Sequence, residues 1–119
     1  MSDLKSLQDC PARYILALND TVNVITGKWK LPIIAALFFG KKRYSEIEKE
    51  IPNINPRMLS KELRDLEANG IVTRQVYNTV PVTIEYLLTS SGQSFKTVMD
   101  VMLEWGLEHR KNVLEGDKV

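Results

Sequence analysis

The chain has 119 residues, 44% of them hydrophobic and 26% charged, with a formal net charge of +1. That is about one domain, with a core large enough to stand without metal or disulfide staples. The near-neutral balance argues against indiscriminate polyanion binding, and the single cysteine excludes a disulfide-stapled secreted scaffold.

The first ten residues read as an arm, with Leu4 and Leu7 spaced for a short apolar contact and no signal-peptide apolar region. Pro11 can open a helix, because its fixed φ and missing N–H are tolerated in the first turn. Tyr14, Ile15, Leu18, Val22 and Ile25 recur at helical spacing up to Gly27. Trp29 to Phe39 is apolar nearly all round and predicts the most buried helix, with Pro32 in its first turn. Its apolar core, Leu31 to Phe39, is far short of a membrane span, so a soluble cytoplasmic domain is expected.

After Gly40 comes a basic run, Lys41-Lys42-Arg43. Ser45 is the expected N-cap of the next helix, with Glu48 at capping-box spacing and Ile47 and Ile51 on its apolar side. Pro52 stops it, and Asn55-Pro56 gives a cap-plus-proline start to the following helix, which Gly70 ends. Ile71 to Tyr77 and Val82 to Leu88 alternate as strands, joined by the short connection Asn78-Thr79-Val80-Pro81. Thr89 or Ser90 then begins a long final helix with an apolar stripe through Phe95, Val98, Met99, Met102, Trp105, His109 and Val113.

A short helix, a brief break, a second helix and a β-hairpin are the order of a winged helix-turn-helix. The expected fold class is α+β, mainly α, with a two-stranded wing, as a single domain over residues 1–119. Segments 1–27 and 90–115 flank it as candidate dimerisation elements.

On the helix from Asn55 to Asn69, Leu63 and Leu66 fall within about 40° of Leu59. Arg57, Lys61 and Arg64 gather around the opposite pole, and Glu62, Asp65 and Glu67 fall on the flanks. Residues 41–70 carry seven basic and six acidic side chains, so arrangement rather than quantity distinguishes this segment. A basic stripe opposite a core stripe suits a helix lying in a DNA major groove, where cations meet phosphates and arginine pairs bidentately with guanine. The candidate DNA contacts are Lys41, Lys42, Arg43, Ser45, Asn55, Arg57, Met58, Ser60, Lys61, Arg64 and, at the hairpin tip, Asn78 and Thr79. One histidine, no Gly-rich phosphate loop, no paired His spacing and no Cys-x-x-Cys leave no enzyme, metal or cofactor motif. A winged-helix module that contacts protein or RNA without a specific operator is the alternative reading.

The sequence also resembles the HxlR-type winged-helix transcriptional regulators of bacteria. The matching residues are Cys10-Pro11, Gly27-Lys28-Trp29, the run from Arg43 to Ile47, and above all the block from Ile54 to Arg74. Val80-Pro81, Glu85-Tyr86, Leu88-Thr89, Gly92 and Glu104-Trp105 complete the set. The resemblance implies a small dimeric DNA-binding repressor or activator. Two positions depart from the pattern. Val82 and Thr83 stand where the family often has a proline and a basic residue, so a phosphate contact through that basic position does not carry over. Thr26-Gly27 stands where it often has two glycines.

A two-fold dimer would place two reading helices on the half-sites of a palindrome. The long final stripe outlasts what a small core can cover. Leu4, Leu7, Tyr14, Leu18, Met99, Met102, Trp105 and His109 are the candidate dimer contacts, and His109, with no Cys or Asp partner nearby in sequence, is a packing residue rather than a ligand. Cys10 precedes the Pro11 helix start, where the dipole and Arg13 favour a thiolate. In the family a cysteine at this position serves some members that sense quinones, aldehydes or oxidants. The resemblance therefore nominates Cys10 as a sensor of a small electrophile or oxidant, the alternative being a half-buried residue in a dimer contact.

Overall fold

The computed structural model describes residues 2–116, and side chains from residue 4 onward. The expected domain, 1–119, extends beyond the described residues at both ends. Six helices and three strands follow in the order α1 (Ser2–Gln8), α2 (Pro11–Asn23), α3 (Lys30–Phe38), β1 (Lys42–Arg43), α4 (Tyr44–Glu50), α5 (Pro56–Ala68), β2 (Val72–Tyr77), β3 (Thr83–Leu88) and α6 (Ser90–Leu114).

The core is built by α3, α4, α5 and the inner ends of β2 and β3. Ile33, Ile34, Ile47, Leu59, Leu63, Leu66 and Val72 are its fully buried side chains, joined by Leu37, Ile51, Ile54, Ile71 and Leu88. The expected apolar sides of α4 and α5 thus face inward. Helix α3 is the most buried, with two departures from the sequence reading: Lys30 in its first turn is buried, and Phe39, just past its end, is 86% exposed.

The β2–β3 hairpin pairs Val72 with Leu88, Arg74 with Tyr86 and Val76 with Ile84, as the alternation requires. A third strand extends the expected pair. Lys42 lies opposite Tyr86 and Arg43 opposite Glu85, giving the antiparallel order β1-β3-β2. The basic run is therefore a sheet edge rather than a free loop. This pairing also moves the start of α4. Its N-cap is Arg43, not Ser45, and Arg43 donates its backbone N–H to the Glu46 carboxylate at 2.7 Å. Strand pairing fixes where the chain turns, and that outweighs the preference of serine for a cap.

Helix α5 has the ends its sequence foretells. The Asn55 side chain accepts the Met58 N–H at 2.8 Å, and Pro56 occupies the first helical position. At the other end Gly70, with φ +75°, allows Ile71 N–H to reach back to Leu66 and Gly70 N–H to Glu67, a Schellman closure. Gly92 is buried where α6 crosses the sheet end. A Cβ there would collide with the Ile71 carbonyl, so only glycine permits this approach.

Helices α1, α2 and the outer part of α6 contribute little to this core. No residue of α2 is buried, and past Met99 the apolar positions of α6 lie exposed. The radius of gyration is 17.6 Å, against about 13–14 Å for a compact domain of this length.

Candidate nucleic-acid interface

Helices α4 and α5 form the helix-turn-helix pair. The Tyr44 hydroxyl donates to the Pro56 carbonyl at 2.6 Å and accepts from the Ser60 hydroxyl at 3.0 Å, tying the first turn of α4 to the start of α5. Ser60 is therefore half-buried and turned toward Tyr44. Met58 is half-buried against the core. These two expected contacts lie at the edge of the exposed face, not on it.

Arg57, Lys61 and Arg64 are all exposed on the side of α5 opposite Leu59, Leu63 and Leu66. Arg57 and Arg64 make no ion pair among the described residues. Lys61 does: its ammonium lies 3.0 Å from Asp65 Oδ2, one turn on. Asp65, on the flank, thus lies within reach of a side chain of the basic pole.

Glu62 is a larger correction. The helical spacing puts it on a flank of α5, and the structure buries it, with its carboxylate 2.6 Å from the Lys30 ammonium. The same ammonium lies 3.4 Å from Asp65 Oδ2. Burial opposes the charge on Lys30, but the bonds to Glu62 and Asp65 outweigh it and hold the ammonium above the usual lysine range. Hydrogen bonds from Lys61 and then Lys30 hold the Asp65 carboxyl below the usual range.

The Lys41-Lys42-Arg43 run is largely engaged within the chain. Lys41 donates to the Tyr77 hydroxyl at 3.0 Å, with Glu85 at 3.6 Å, and Lys42 lies 3.3 Å from Glu50. Arg43 and Ser45 are exposed beside the start of α4, and Asn55 is occupied as its helix cap. At the wing, Asn78 is exposed, while the Thr79 hydroxyl donates to the Pro81 carbonyl at 2.7 Å. Val80 and Val82 project beside them.

A groove runs between α5 and the sheet, lined by Ser60, Leu63, Arg64, Glu67, Ala68, Arg74 and Tyr86. Arg74, not singled out from the sequence, stands across it from Arg64 and pairs with Glu67 at 3.1 Å. The signal was its position on the face shared with Val72 and Val76. Burial pushes the Tyr86 phenol up.

Away from this face, Cys10 is half-exposed at the N-cap of α2. Its N–H donates to Leu7 and its carbonyl accepts from Tyr14. Leu4, Tyr14, Leu18, Met102, Trp105 and His109 are exposed, Leu7 is half-buried, and Met99 packs on the core. Trp105 and His109 stack on each other at 4.8 Å. No helix among the described residues is long and apolar enough to cross a membrane.

A helix pair, a three-stranded sheet whose hairpin forms the wing, and a cationic outer face on the second helix define a winged helix-turn-helix protein. Residues 24–113 match the model of the HxlR-like helix-turn-helix family. The uncharacterized HTH-type transcriptional regulator YtcD of Bacillus subtilis (strain 168) is 43% identical over 101 residues, covering 85% of this chain and 80% of that one. The redox regulator HypR, solved in its reduced form, superposes with a TM-score of 0.75 at 43% identity, covering 84% of this chain and 98% of that one. The quinone-bound regulator YodB from B. subtilis gives a TM-score of 0.68 at 33% identity, covering 77% of this chain and 97% of that one. The chain belongs to the HxlR-like helix-turn-helix family. It is a transcriptional regulator, not an enzyme.

Proposed function

We infer that the protein acts as a cytoplasmic two-fold dimer on a palindromic operator, reading each half-site with α5. The observation that carries this is the outer face of α5, where exposed Arg57 and Arg64 make no ion pair among the described residues, opposite a buried leucine row. Arg57 lies in the first turn, the part of a recognition helix that meets base edges. Arg64 and Lys61 suit phosphates, and Lys61 would exchange Asp65 for one of them.

The second copy is supported by the extended shape and by the apolar surface on α2 and α6. Trp105 alone is 67% exposed. Exposed apolar residues in such number on a small domain mark an interaction surface. A symmetric pair of α6 helices, with α1 and α2 beside them, would cover it and set the spacing of the two α5 helices.

Cys10 joins α1 to α2 within this dimerisation layer, half-exposed. HypR is a redox regulator and YodB binds a quinone; a similar input at Cys10 fits its place here. Its thiolate would add to an electrophilic carbon, or be oxidised by a peroxide and capped by a second thiol as a mixed disulfide. Either adduct would bear on the α1–α2 junction and so on the spacing of the reading helices.

The test is a titration of duplex DNA, selected by the protein from a genomic library, against a scrambled duplex at two salt concentrations. Preference for the selected duplex by about three orders of magnitude supports the reading. Equal, weak binding to both would instead favour a protein- or RNA-contacting module.

A further inference from the structure

The ion cluster beneath α5 lies behind the DNA-facing side chains and is not needed to explain them. Lys30 is the first residue of α3, whose next turn, Ile33 and Ile34, is wholly buried. Its ammonium is thus a peg rooted in the buried core. Two carboxylates of α5, one turn apart, clasp that peg: Glu62 at 2.6 Å and Asp65 at 3.4 Å. The side chains of Lys30 and Glu62 are only 10% and 7% exposed.

Apart from the Tyr44 bonds to Pro56 and Ser60 at its start, α5 meets the core through aliphatic side chains, Leu59, Leu63 and Leu66. Aliphatic packing is non-directional and by itself does not fix the roll of the helix about its axis. A short, charge-assisted hydrogen bond does not. Asp65 Oδ2 also receives Lys61, so the clasp reaches the outer face as well.

We propose that Lys30 is a positioning residue for DNA reading: through Glu62 and Asp65 it fixes the rotational setting of α5, and with it the aim of Arg57 at base edges. This rests on the reading of α5 as the DNA-contacting helix. Recognition groups must be held within about 10–20° of their productive geometry, and a slack helix would keep its phosphate contacts while losing base discrimination.

A structural role and a positioning role separate in two variants. Lys30→Met leaves the Glu62 carboxylate buried without its partner and lowers stability. Lys30→Met with Glu62→Leu removes both charges, and well-packed apolar replacements of buried pairs commonly restore stability. Each protein is titrated, at a temperature where circular dichroism shows it folded, with the duplex selected by the parent and with a scrambled duplex of equal length.

The expected result is a double variant as stable as the parent, with the same affinity and salt dependence for the scrambled duplex. Its preference for the selected duplex should fall about tenfold, the size of one lost base contact. A double variant that keeps full preference overturns the proposal, as does one no more stable than Lys30→Met, for the pair would then serve the fold itself. A parent that prefers neither duplex overturns the DNA reading, and this inference with it.

Discussion

The Tyr44 hydroxyl donates to the Pro56 carbonyl across 2.6 Å, joining two residues twelve apart in the chain and the two helices of the helix-turn-helix. The bond sits where α5 begins, so it sets the entry of the reading helix as well as holding α4. Tyr44→Phe keeps the ring against the core and removes only the hydroxyl. The expected cost is about 1 kcal/mol, seen as a fall in Tm of about 3–6 °C. Thermal denaturation followed by circular dichroism checks it; an unchanged Tm would show that the bond adds nothing net.

The three cations of α5 should not be equivalent. Arg57→Ala should relax base preference at one operator position by about 1–3 kcal/mol. Arg64→Ala should weaken all sequences alike and lower the salt slope by about one. Lys61→Ala should lower the slope by less, because Asp65 already compensates its charge in the free protein. Affinities of the three variants across a salt series decide the order.

The Lys30 cluster carries a pH signature. Its ammonium is held above the ordinary value near 10.4. The stability it contributes is therefore complete below that value and is lost as pH rises through the higher folded one. Urea denaturation between pH 9 and 11.5, ranges set by that lysine value, should show falling stability. The fall should be smaller in the Lys30→Met, Glu62→Leu double variant.

Trp105→Glu should leave each domain folded, since Trp105 is largely exposed and touches His109 rather than the core. It should nonetheless separate the subunits, because a central aromatic anchor replaced by a charge usually costs an interface well over tenfold in affinity. Sedimentation of parent and variant at equal concentration is the check, with the parent expected as a dimer and the variant as a monomer.

Cys10→Ser should bind the operator as the parent does and fail to respond to a quinone or a peroxide. DNA titration with and without each reagent, alongside the intact mass of the protein, reads both. A serine variant that still responds would place the sensor elsewhere.

Much of this architecture can be read along the chain because its signals are local. Asn55, Pro56 and Gly70 each act on the few residues beside them, and they bound α5 as expected. The leucine row needs only helical periodicity. What escaped depends on partners far away in sequence. Glu62 sits roughly 60° from the leucine row, where exposure and burial are equally open, and its partner Lys30 lies 32 residues earlier. The strand at Lys42–Arg43 is two residues long, too short to show alternation, and exists only because β3 presents Glu85 and Tyr86. The same pairing displaced the cap from Ser45 to Arg43. The lysines of the basic run found acids and a tyrosine on other elements, so their number overstated the charge left for DNA.

The central claim is that two copies of α5 read one duplex as a symmetric pair. Hydroxyl-radical footprinting of the selected duplex tests it most directly. The account predicts two equivalent protected patches on one face of the DNA, their centres about 10 base pairs apart or a multiple of that. A single patch, or uniform protection that moves with the ends of the fragment, would contradict it.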